Sequence, residues 1–297
     1  MMADRYLIDD HKTADLLPER IARSNKGTYG HSLIMAGSFG MCGAAVLSAE
    51  AAYRSGCGLV SVLSPACNRL IIQTALPEAL FLCMPENADP LFADGRKLKY
   101  HAAAAGPGLG REQSVKRHLL RLIDELSCPI VLDADALNLL SEDLAFLPVK
   151  EITEGRSFII TPHPGEMARL TGGCVKDILA DPVSVAEEFA SRYGLIVVLK
   201  DQHTVVTDGR RTYINDTGCD GMATGGSGDV LTGMITSLLA QGCPAFTAAA
   251  LSVRIHGTAG EIAAEKFGCR GMIASDIVRC IPDAFLFYQS KQGEKSS

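Results

Sequence analysis

No stretch of this 297-residue sequence approaches the roughly 20 uninterrupted apolar residues that a membrane-spanning helix requires. The N-terminal MMADRYLIDDHKTADLLPER carries acids and bases throughout and has no apolar h-region, so it does not read as a secretory signal, and a cytoplasmic location with no membrane partner is expected. Basic residues are outnumbered, 28 Lys and Arg against 34 Asp and Glu, for a formal net charge of -6. That balance excludes the broad cationic footprint of a nucleic-acid-binding protein. The ten cysteines form no C-x-x-C pair and no zinc-type cluster, which reads as reduced, mostly buried thiols with no protein-held metal. Internal repeats, low-complexity tracts and Pro/Ser-rich linkers are also missing, so residues 1–297 are expected to form one domain, with 291–297 as a frayed tail.

What is present is an ordinary globular composition, 47% hydrophobic and 21% charged, with length enough for a large core. Short apolar runs at 31–37, 58–64, 129–135, 157–162 and 194–200 alternate with helical stretches that include 43–56, 113–126 and 182–193. This rhythm predicts an α/β fold with a mostly parallel central sheet between helical layers. After Lys200 the pattern changes to HTVVTDG and RTYIND, a hairpin turning at Asp208-Gly209. From Asp229 the chain reads as helical almost to its end, with breaks at Gly242-Cys243-Pro244 and around Gly268 to Gly271.

The strongest chemical signal is Thr224-Gly225-Gly226-Ser227-Gly228-Asp229, followed at once by the helical run VLTGMITSLLAQG. A glycine-rich turn that opens a helix aims unpaired amides and the positive end of the helix dipole at one point, which suits a phosphate. Asp229 then stands beside the anion site, either as an acceptor for the proton of an attacking hydroxyl or as a favourable N-terminal acid. A second signal is Thr161-Pro162-His163-Pro164-Gly165-Glu166, directly after an apolar strand. Two prolines hold His163 rigid at the carboxyl end of that strand, where open α/β sheets bind ligands; a purely structural histidine is the alternative. Near the N-terminus a strand, a loop with Gly37, Gly40 and Gly43, and a helix follow one another. The spacing G-x-x-G-x-x-G is not the dinucleotide fingerprint, yet it permits close approach of a ligand to the backbone.

Three weaker signals accompany these. AAAAGPGLG (102–110) is a small-residue strand running into a glycine turn; VLDADALNLL places Asp133 and Asp135 at a strand end, as support for a metal-bound nucleotide, as groups that orient their neighbours, or as helix caps. Lys200 closes a buried strand and could lie against a nucleotide phosphate.

In this order, KGTYGHSLIMAGS, AGPGLG, DADALN, TPHPGE, LKDQHT and MATGGSGDVLTGMI resemble the NAD(P)H-hydrate dehydratase family over roughly residues 24 to 288. The resemblance implies a ribokinase-like fold and dehydration of hydrated NADH or NADPH, driven by the phosphoryl group of ADP or ATP with Mg2+. It implies that Asp229 is the catalytic acid/base and that Gly108, His163 and one of Ala44 and Ala45 contact substrate. It further implies that Lys200, Asp201, Gln202, His203 and Thr204 line the nucleotide pocket, and that the amides of Gly226, Ser227 and Gly228 meet the phosphates. A homotetramer is implied as well, acting with a separate epimerase, for which domain this chain has no room. One departure is Asp201-Gln202 after Lys200, where many relatives carry a glycine, which leaves the backbone path there unspecified. The glycine turn with Asp229 fits a small-molecule kinase equally well; TPHPGE and KGTYG separate the two readings. A nucleotide-sensing module without turnover would have no reason to set a carboxylate beside a phosphate.

Overall fold

The computed structural model describes residues 4–85, 99–142, 144 and 156–292. The last five residues of the expected frayed tail, 293–297, lie outside that set. The apolar runs form strands β2 (His31–Met35), β3 (Leu59–Ser64), β6 (Ile130–Leu132), β7 (Phe158–Ile160) and β8 (Ile196–Leu199), with the alanine run as β5 (Ala102–Ala105). Two edge strands carry little sequence signal: β1 (Asp4–Arg5) is two exposed residues, and β4 (Leu80–Cys83) has no buried position. The expected hairpin is β9 (Val205–Thr207) and β10 (Arg211–Ile214). Its turn is fixed by Gly209 in the left-handed region and by the Asp208 carboxylate, which accepts from the amides of Arg210 and Arg211.

These strands make one ten-stranded sheet in the order β1-β10-β9-β8-β7-β6-β5-β2-β3-β4. Every pairing from β4 to β8 is parallel, and only β9 runs against its neighbours β8 and β10. Both faces are covered, which is why the central strands read as continuous apolar runs rather than as alternating ones. Along β5, Ala102 and Ala104 enter one core while Ala103 and Ala105 enter the other; Ile196 and Val198 divide from Val197 and Leu199 along β8 in the same way.

On the first face lie α2 (Cys42–Arg54), α9 (Ser227–Ala240), α10 (Ala245–Phe267) and α11 (Ala274–Ser290), whose apolar residues share a core. On the second lie α4 (Gln113–Glu125), α5 (Ala134–Ser141), α6 (Pro164–Thr171), α7 (Val175–Ala180) and α8 (Pro182–Tyr193). Two short helices, α1 (Asp10–Leu16) and α3 (Arg69–Ala75), complete the set among the described residues. Every residue of α9 from Val230 to Ala240 is buried, as expected for a helix that is apolar all round. Alanine in β5 leaves room for that helix to lie close on the sheet, and Gly233 lets it lie close on α2: a Cβ there would fall 2.1 Å from the Ser48 carbonyl oxygen. The carboxyl ends of the parallel strands all open onto one edge of the sheet, where the glycine-rich and polar segments collect.

Candidate active site

Gly226 begins the site. It stands immediately before α9 with φ of 95°, a conformation open to glycine, and a Cβ there would meet Leu47 Cδ1 at 2.6 Å. No side chain caps α9; the Ser227 amide donates to the Thr224 carbonyl at 3.4 Å, and the Gly228 and Asp229 amides that follow, with the positive end of the helix dipole, face the position of a ligand. Asp229 lies in that first turn, with a carboxylate oxygen 3.9 Å from the position a Gly226 Cβ would take. Its main chain is anchored to α2, where the Ser48 hydroxyl donates to the Asp229 carbonyl at 2.9 Å. Burial pushes the Asp229 carboxyl up to about 7; the neighbouring carboxylates of Asp133 and Asp135 add to the rise, and Lys200 opposes it.

Lys200 comes from the end of β8, and its main-chain amide donates to the Pro162 carbonyl, which ties that loop to the TPHPGE segment. Its ammonium donates to Asp133 Oδ1 at 2.7 Å and lies 3.2 Å from where a Gly228 Cβ would be. Burial alone would push the ammonium down, but Asp133, Glu166 and Asp229 outweigh it and raise its pKa above the ordinary lysine value. A cation therefore sits directly beneath the first turn of α9 and adds to the pull of the helix dipole on an anion.

Asp133 stands at the start of α5, yet its side chain does not cap that helix. One oxygen accepts from Lys200 and the other from the Thr232 hydroxyl at 2.8 Å, so this buried acid joins β6, β8 and α9. Asp135 accepts from the Gly110 amide and from Arg111, and so holds the AGPGLG turn. Of the readings open in the sequence, these contacts are those of groups that orient their neighbours, and Asp133 does not act as a helix cap. Ala134 between them has φ of 47°, in the left-handed region for a non-glycine residue.

The remaining expected positions divide. His163 extends into the start of α6, where its Nδ1 accepts from the amides of Gly165 and Glu166, and its ring faces a cavity of about 950 Å³. Lys200, Asp201, Gln202, Thr204, Ser227 and Gly228 line the same cavity; His203 is exposed and does not. Gly226, Asp229, Ala44, Ala45 and Gly108 are not in its wall, but they lie on the α2 side of the α9 N-terminus. Ala44 is half-buried and one turn before Leu47 on the same helix face, whereas Ala45 is fully buried towards the core. Gly108, with φ of 57°, packs on the first turn of α2; a Cβ there would be 2.9 Å from the Ala44 Cβ.

Several cavity residues escaped the sequence reading. The segment from Asn215 to Thr224 forms a wall, and His256 of α10 lies 3.5 Å from the Ser227 hydroxyl. Burial, reinforced by Lys200, pushes the His256 imidazole down to about 4, so it is neutral at physiological pH. The run NDTGCDGMA immediately before the glycine turn was a usable signal, since turn residues in that number mark a loop. His256, inside a long apolar helix, offered none.

Among known proteins, the family described as NAD(P)H-hydrate dehydratase matches residues 32–283. A bifunctional NAD(P)H-hydrate repair enzyme of Moorella thermoacetica is 39% identical over 277 residues, 90% of this chain and 51% of that protein, so the chain spans about half the length of such relatives. An ADP-dependent (S)-NAD(P)H-hydrate dehydratase of Neisseria meningitidis is 39% identical over 266 residues, 87% of this chain and 86% of that one. The crystal structure of an ADP/ATP-dependent NAD(P)H-hydrate dehydratase from Bacillus subtilis, co-crystallized with ATP/Mg2+, superposes with a TM-score of 0.83 at 31% identity over 94% of this chain and 97% of that one. The helix-flanked sheet is the expected ribokinase-like fold.

Proposed function

We propose that this chain, which belongs to the NAD(P)H-hydrate dehydratase family, uses the phosphoryl group of ADP or ATP to dehydrate the (6S)-hydrated forms of NADH and NADPH. The observation that carries this reading is Asp229: a carboxyl with its pKa raised to about 7, placed in the uncapped first turn of α9 with the Lys200 ammonium beneath that turn. A base near neutrality beside an anion hole suits activation of a hydroxyl for phosphoryl transfer.

In this reading the nucleotide occupies the cavity lined by Lys200, Asp201, Gln202 and Thr204, with its terminal phosphate at the amides of Gly226, Ser227 and Gly228. The hydrated nicotinamide lies on the α2 side, against Gly108 and Ala44 rather than the buried Ala45, with His163 at the margin. Asp229 takes the proton of the C6 hydroxyl as its oxygen attacks the terminal phosphorus. Charge that builds on the phosphoryl oxygens meets the helix amides and Lys200. Phosphate then leaves with the C6–O electron pair as the ring nitrogen supplies electrons, and loss of the C5 proton from the resulting iminium restores the dihydronicotinamide, with release of phosphate and of AMP when ADP is the donor.

The two acids nearest Asp229 are committed elsewhere, Asp133 to Lys200 and Thr232 and Asp135 to Gly110 and Arg111. They therefore do not form a carboxylate cage for magnesium. Magnesium instead comes with the nucleotide phosphates, where it neutralises charge. A separate epimerase supplies the (S) isomer, the reaction takes place in the cytoplasm, and four copies assemble, which light scattering would read as a mass about four times 31.5 kDa.

The test is incubation of the protein with hydrated NADH, magnesium and either ADP or ATP, following dihydronicotinamide absorbance and phosphate together. Equal recovery of both with one nucleotide is the expected result and identifies the donor. A stable phosphate ester with no recovery of absorbance would replace this reading with that of a small-molecule kinase.

A further inference from the structure

Cysteines scattered in the linear sequence are brought together at the rim of the cavity. Cys219 precedes the short turn of 3-10 helix at Asp220–Met222, and Cys269 lies in the loop between α10 and α11, fifty positions away in the chain. The Sγ atoms of Cys219 and Cys269 and a carboxylate oxygen of Asp220 all lie within 4.8 Å of one another. Cys219 is half-buried while Asp220 and Cys269 are exposed, so a small ion can reach all three.

The two loops are in backbone contact around this cluster. A Cβ on Gly221 would fall 2.9 Å from Cys269 Cα and 2.4 Å from Met272 Sδ, so glycine at 221 is what allows the approach. The Cys219 thiol also points at the Gly260 carbonyl, at 3.6 Å.

From this juxtaposition we propose that Cys219, Asp220 and Cys269 form a binding site for a soft or borderline divalent cation of the zinc and cadmium class. Two sulfurs and one carboxylate oxygen are a donor set that magnesium and calcium disfavour and zinc accepts. Three protein ligands and one water complete a tetrahedron, and the Sγ and carboxylate atoms need only small rotamer changes to approach a common centre. Binding converts both thiols to thiolates and releases two protons, so a dication meets three negative charges. A disulfide between the same sulfurs would leave Asp220 without a role.

Cys219 and Asp220 are in the cavity wall, whereas Cys269 is not. An ion at this site would therefore clamp the wall to the loop behind it, whatever small molecule the cavity holds.

The test uses the full chain with Cys67, Cys83 and Cys174, the other exposed cysteines, changed to serine so that they do not compete. Titration with Cd2+ should give thiolate-to-metal charge-transfer absorption saturating at one equivalent per chain. Calorimetry with Zn2+ in buffers of different ionisation enthalpy should show two protons released. Adding Cys269→Ser, an exposed position, should weaken binding by roughly 100-fold or more while the thermal melt is retained, and Asp220→Asn by roughly 10-fold. Affinity unchanged by Cys269→Ser, or no saturable absorption in the triple-serine chain, would overturn the proposal. So would peroxide-driven formation of a Cys219–Cys269 disulfide at the same rate with and without zinc, because bound thiolates are shielded.

Discussion

Asp229 occupies a place unfavourable to a charged carboxylate, and the consequences can be measured in two ways. With a pKa raised to about 7, it is half ionised near neutrality, so kcat/KM for the proposed dehydration should rise about tenfold per pH unit below 7 and level off above it. Replacing Lys200 with Met removes the charge that lowers this pKa, and the limb should move to higher pH; Asp133→Asn removes a charge that raises it, and the limb should move the other way. Identical profiles in both variants would show that neither residue acts through Asp229. Stability follows the same proton. Between about 4 and 7 the folded chain keeps a proton that the unfolded chain has released, so stability falls as pH rises through that window. Asp229→Asn should therefore melt higher than the parent at pH 8, by on the order of 1–3 kcal/mol, with the gain gone near pH 4. The same variant should bind nucleotide but lose roughly 100-fold or more in turnover.

Helix α9 shows what a sequence discloses about an element and what it withholds. Its start was legible, because a run of glycines followed by an acid and an apolar stretch has few other readings. Its depth was not, since the closeness of α9 to α2 depends on Gly233 meeting the Ser48 carbonyl, a pairing between residues far apart in the chain. Gly233→Ala should destabilise the fold by about 1–3 kcal/mol, seen as a lower urea midpoint, and should reduce turnover by displacing Asp229. An unaltered midpoint would mean that the two helices separate freely. Asp133 illustrates the same limit. A carboxylate at a helix start reads as a cap, and only the fold reveals that Lys200 and Thr232 have claimed both oxygens. Strands β1 and β4 escaped notice because short edge strands need neither apolar faces nor length.

Across the whole molecule, the central sheet was readable because strands covered on both faces must be apolar throughout, and helices of ordinary length separate them. The position of the candidate site followed from the same topology, as glycine and polar segments fell after strands. What topology alone could not supply was the lateral order of strands, and with it the meeting of β6 and β8 ends that lets Asp133 reach Lys200 across β7. One consequence of the burial of Val230 to Ala240 concerns time rather than place. Those amides lie in the molecule's interior and should exchange with deuterated solvent only when the whole chain opens, whereas Ser227 to Asp229, one turn away, should exchange early. The end of the helix that carries the candidate site is thus its loose end, and bound nucleotide should slow exchange there first, leaving the remainder of α9 as a built-in reference clock.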